Sequence, residues 1–149
     1  MKTLLLLVGL FLGTTTAVLA QISTQKLYAA VVKNQPEVLA TVLAAGADAN
    51  APVEMIPGFP TTLLILAAGN GQLELVKVLL LHKAQIDKAD SFNVTALMAA
   101  VDQGSAEVVE LLLTNGASCK TKDNDGKDAL AHAKEGGSAE VLRLIQKAK

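Results

Sequence analysis

One cysteine, one tyrosine, two histidines and no tryptophan in 149 residues leave little material for chemistry. Cys119 alone cannot close an internal disulfide, so the fold must stand on its core. A catalytic thiol would want a partnered base and an electropositive setting, and neither is visible. His82 and His132 lie 50 residues apart, with no second histidine or cysteine at ligand spacing. His82 falls near a helix C-terminus, where its charge is weakly favoured; His132 reads as a surface or interface side chain. There is no nucleophile motif, no glycine-rich phosphate loop and no marked pair of carboxylates. "DNDGKD" (123–128) invites a calcium reading. With Asp123 and Asp125 at loop positions 3 and 5 and Gly126 at 6, however, position 1 is Thr121 and position 12 is His132. An EF-hand needs an acidic first ligand and a final glutamate. The turn preferences of Asp, Asn and Gly account for the segment. The chain is read as a non-enzyme that holds no metal and no cofactor.

A dominant charge sign is missing too. Thirteen basic against 14 acidic residues give a net charge of −1, which is no footprint for nucleic acid or an anionic membrane. Apolar residues make up 51 % of the chain, which excludes disorder.

The chain opens "MKTLLLLVGLFLGTTTAVLA": Lys2, an unbroken apolar run from Leu4 to Leu12, three threonines and a small-residue exit. This is the pattern of a secretory signal peptide. The run is far shorter than the roughly 20 residues of a membrane span. Residues 1–20 are therefore expected to be removed after Ala20, leaving a single domain over 21–149. Cleavage removes only the charge of Lys2, so 12 basic and 14 acidic residues remain and the net charge becomes −2.

The remainder repeats itself. "TLLILAAGNGQLELVKVLLLHKAQID" (62–87) matches "TALMAAVDQGSAEVVELLLTNGASCK" (95–120) without a gap, at a step of 33 residues. A further 33 gives "DALAHAKEGGSAEVLRLIQKAK" (128–149), and "QKLYAAVVKNQPEVLATVLAAGADAN" (25–50) fits the same columns at an offset of 37. Units of about 23–50, 51–87, 88–120 and 121–149 follow. Each reads as two short helices: Leu64 and Ala67–Ala68 face inward in one, and Leu75, Val76, Leu79 and Leu80 stand at helical spacing in the other. Gly71 and Gly104 break the chain between helices, Gly46 and Gly116 end the second helix, and Pro36 suits a first turn. Glu74, Glu107 and Glu140 recur near the starts of second helices, where they complement the helix dipole. Cys119 falls in the apolar column of Ala49 and Ile86 and reads as a buried structural thiol. One unit cannot bury its own apolar face, so stability must come from stacking.

The threonine-led tetrapeptide, paired alanines, central glycine, apolar helix and "GADAN" (46–50) resemble the ankyrin repeat, and "DNDGKDAL" (123–130) is similar to the family's turn and helix start. The resemblance implies an all-α solenoid of four helix-turn-helix units with β-hairpin fingers, the outer units acting as caps. The family's Thr-Pro-Leu-His is altered: Leu63 and Ile65, Ala96 and Met98, and Ala129 and Ala131 replace proline and histidine, and Asp128 replaces the threonine. Lys83 stands where the second unit should carry its helix-ending glycine.

The resemblance implies binding of a protein partner by the fingers and first helices. "APVEMIPGFPTT" (51–62) is a finger lengthened by four residues. Phe59 and Phe92 lie 33 apart at the same finger position, and Met55 and Ile56, with Val53, would widen an apolar patch. Ser91, Val94, Asp102 and Gln103 in the third unit match Asn124, Asp125, Lys127 and Glu135 in the fourth as further partner candidates. Two arrangements are open: the aromatics anchor a partner, or the long finger folds back over the first unit and the rings pack on each other or on the helix beneath. The expected role is a monomeric, non-catalytic scaffold acting outside the cytoplasm, in a periplasm or as a secreted product. The alternative is an immunity, inhibitor or accessory protein for one periplasmic enzyme, in toxin neutralisation or oxidative-stress defence.

Overall fold

The computed structural model describes residues 16, 18 and 20–148. Most of the expected signal peptide therefore lies outside the described residues. Helix α1 covers 20–32. It is followed by α2 (Pro36–Ala44), the hairpin β1 (Val53–Ile56) and β2 (Phe59–Thr61), then α3 (Leu63–Gly69) and α4 (Leu73–Leu81). Helices α5 (Ala96–Gln103), α6 (Ala106–Thr114), α7 (Ala129–Glu135) and α8 (Ala139–Ala148) complete the stack.

The first helices start alike because their caps are alike. The hydroxyl of Thr62 accepts the amide of Ile65 at 3.1 Å, that of Thr95 accepts Met98 at 3.4 Å, and the carboxylate of Asp128 accepts Ala131 at 2.9 Å. Each satisfies an amide that the helix itself leaves open. Asp128 thus does the work of the missing threonine. The turn between helices needs a left-handed residue: Gly71 (φ +66°) and Gly104 (φ +75°) supply it, and Asn34 (φ +51°) does so in the first unit. At Gly71 an added Cβ would also lie 2.6 Å from Ser105 Oγ, so that hydroxyl would have to turn away. Lys83 takes φ +65° where Gly46 and Gly116 serve the neighbouring units.

The helices form two layers. In one, α3 packs on α5 and α5 on α7; in the other, α2, α4, α6 and α8 pack in succession. Each unit contributes one helix to either layer. Leu27, Val31, Leu39, Leu64, Leu75, Leu79, Leu97, Leu112 and Ile145 form a single continuous core that runs the length of the stack. Cys119 is buried, as its column required. On the terminal helix α8, Val141 and Ile145 face the core while Glu140, Arg143, Gln146 and Lys147 stay exposed, which gives that end a polar cover. No helix among the described residues is long and apolar enough to cross a membrane.

Side chains stitch successive units. Asn50 Nδ2 donates to the Lys83 carbonyl at 3.1 Å, and its Oδ1 accepts the Gln85 amide at 2.7 Å. Asp87 repeats the service one unit on by accepting the amide of Ser118.

Candidate functional site

Three fingers precede α3, α5 and α7, and a ladder of bonds holds them together. Ser91 donates both its amide (3.3 Å) and its hydroxyl (3.0 Å) to the carbonyl of Pro60. Asn124 then donates its amide to Phe92 O at 3.1 Å and its side-chain amide to Ser91 O at 3.4 Å. In the finger before α5, the carboxylate of Asp90 accepts the amides of Phe92 and Val94; in the finger before α7, Asp123 accepts those of Asp125 and Lys127. Short polar side chains therefore fix both loops. The finger before α3 solves the same problem with a hairpin turned at Pro57–Gly58, Gly58 having φ +83°.

This scaffold aims the aromatics. Phe59 and Phe92 lie face to face, with ring centroids 5.4 Å apart and planes within 2°. The offset is the favoured parallel arrangement of two rings. The rings thus pack on each other, as the second arrangement allowed, and the hairpin is bonded through Pro60 to the finger after it. The rings nevertheless remain 46 % and 51 % exposed. Met55 and Ile56, each 60 % exposed, continue the patch. Together with Ile65, Leu66 and Gly69 of α3 and Ala99 of α5, they line a groove of about 330 Å³ between fingers and helices. A separate concavity of about 680 Å³ lies between α1 and α2, lined by Ser23, Thr24, Thr41 and Ala45, and reaches Ala51 and Pro52 at the base of the long finger.

Val53, expected to widen the patch, does not. It is buried in the core at the base of the hairpin, whereas the three residues after it on β1 are all exposed. Val94 is half-buried. Ser91 and Asn124 are exposed but already serve the finger ladder. Gln103, one turn beyond Ala99 on α5, is exposed.

Further along the same face the chemistry changes. His132 sits between two carboxylates, with Nδ1 2.8 Å from Asp102 Oδ1 and Nε2 2.9 Å from Asp123 Oδ2. Only the imidazolium can donate from both nitrogens at once. Partial burial works against that charge, but the hydrogen bonds and fields of Asp102 and Asp123 together outweigh it and raise the pKa of His132 above its ordinary value. The backbone amide of Lys127 is the largest cause holding Asp123 below the usual carboxylate value; desolvation opposes it, and His132 and the Asp125 amide reinforce it. Lys127 pairs with Glu135 at 2.6 Å, which raises the lysine's pKa. His132 is thus no ordinary surface residue: its side chain is only 13 % exposed and it bridges the third and fourth units. Sequence reasoning missed the bridge because its partners lie 30 and 9 residues away. The equivalence of Asp123 with the loop-fixing Asp90 was the available clue.

Among the described residues no group of three or more histidine, cysteine or acidic side chains could hold a metal. The family description "Ankyrin repeats (3 copies)" matches residues 27–123. No match was found among curated proteins.

Proposed function

The chain belongs to the ankyrin-repeat family, whose repeats generally serve protein–protein recognition and are typically non-catalytic, and on that footing we propose that it grips a protein partner with the apolar part of its groove. The supporting observation is the half-exposed stack of Phe59 on Phe92, beside exposed Met55 and Ile56. A contiguous apolar patch of this kind on a polar-rimmed groove favours being covered, and aromatic anchors dominate binding energy where they are. Asp102, Gln103, Asp125, Lys127 and Glu135 extend the contact to the fourth unit. A leader cleaved after Ala20 sets the meeting place outside the cytoplasm, in a periplasm or beyond it.

The test is capture of the mature protein, tagged after Lys149 and lightly cross-linked in its own compartment, beside the Phe59→Ser/Phe92→Ser variant. A partner held by the native chain and lost from a variant of unchanged helical circular dichroism is the expected result. Identical partners on both would place the contact elsewhere. Amino-terminal sequencing of the exported protein should begin Gln-Ile-Ser; a chain still starting at Met1 would overturn the leader.

A further inference from the structure

The groove also carries information about what lies in it. Resting on the reading above, we infer that the occupant is an extended segment that presents an apolar side chain to the aromatic stack and, two residues along on the same face, a lysine or arginine.

The apolar half supplies the first requirement. Phe59, Phe92, Ile65, Leu66 and Ala99 form the wall of the groove between the second and third units. The second requirement comes from following each repeat position one step further. The position of Phe59 and Phe92 is Asp125 in the fourth unit, and that of Gly69 is Asp102 and then Glu135. All three carboxylates are exposed. With Asp123 they make four acidic groups against Lys127 and His132, a net charge of −2 with the imidazole protonated. Both cations are already committed, Lys127 to Glu135 and His132 to Asp102 and Asp123. The fourth-unit end of these repeat positions is therefore left with exposed carboxylates, and Asp90 lines the groove itself; together they favour a cation in the partner over an acidic segment.

Geometry sets the spacing. Packed helices lie about 8–10 Å apart, so α3–α5 and α5–α7 present successive sites at about that interval. An extended chain brings same-face residues about 6.6–7 Å apart, and the long stem of a lysine or arginine covers the difference.

The experiment selects a random twelve-residue display library on the immobilised full chain, then titrates a leading fluorescent peptide. Enriched peptides should pair an apolar residue with a lysine or arginine two positions away, in one chain direction. The peptide should bind about thirty-fold more weakly to Phe59→Ser/Phe92→Ser. Asp125→Asn/Glu135→Gln, at exposed positions, should cost about five-fold and flatten the salt dependence. Loss on the phenylalanine variant alone would keep the groove and overturn the cation. Retention on both would place peptide binding elsewhere, against both readings. Enrichment of acidic or uncharged peptides, or none at all, would overturn this inference while the capture experiment still judges the groove.

Discussion

Finger and helix positions that hold Phe59, Phe92, Leu66 and Ala99 at one end of the concave face hold Asp125 and His132 at the other. The backbone beneath barely changes. Thr62, Thr95 and Asp128 cap their helices in the same way, and Asp90 and Asp123 fix their loops with the same pair of bonds. One half is held by ring contact and faces outward with apolar surface; the other is held by a buried-side ion triad and faces outward with carboxylates. The contrast separates two kinds of constraint. Caps, left-handed turns and the Leu97 layer are demanded by stacking, whereas exposed positions such as Phe59, Phe92 and Asp125 are less bound by it.

The strongest way to break the comparison is to attack what both halves share. Leu97 on α5 is fully buried between them. Leu97→Ala should cost about 2–5 kcal/mol, and a thermal melt followed by circular dichroism should show one transition. Two transitions would mean that the halves fold separately. Next comes His132→Gln, which removes the cation between Asp102 and Asp123 and should lower the melting temperature by about 5 °C near pH 6. The pH dependence has a definite sign. A raised His132 pKa gives stability that is fully present below the ordinary imidazole value of 6.5 and is lost as pH climbs through the folded value. A lowered Asp123 pKa stabilises above 3.8 and is lost as pH falls through its folded value. The native protein should therefore lose stability as pH rises from about 6.5 through the raised His132 value, and His132→Gln should lose little over that range. An equal slope in both proteins would remove His132 from the account. Phe59→Ala should cost about 0.5–1.5 kcal/mol, the worth of an aromatic pair, and should leave that pH slope untouched. Smallest is Lys83→Gly, which relieves a left-handed lysine and should raise stability by about 0.5–1 kcal/mol in chemical denaturation, without altering either half of the groove. A loss there would mean that the stem of Lys83 packs usefully.

The stack was legible because its requirements are local and recur. A glycine at 71 and 104, a cap at 62 and 95, and leucines at helical spacing can each be read within one unit, and repetition confirms them. The coincidence of Phe59 with Phe92 was equally visible. How the rings meet was not, since it depends on the path of the long finger in space. Val53 was misjudged for a related reason: composition marks it apolar like Met55 and Ile56, but only the path of the hairpin puts it at the base, in the core, and them outside. The triad around His132 was hidden because it joins residues from two units and follows no motif spacing.

Pro60, in the second strand of the long finger, has a consequence of another kind. A strand pair carrying exposed Met55, Ile56 and Phe59 would ordinarily be an invitation to aggregate, since an open edge with apolar side chains templates further strands. Pro60 has no amide hydrogen to offer an incoming chain, and its carbonyl is already occupied by Ser91. On the other strand the ladder is interrupted by an irregularity between Glu54 and Ile56. The most adhesive surface of the molecule is thus built on the strands least able to polymerise, so the protein can be sticky toward a partner without being sticky toward itself.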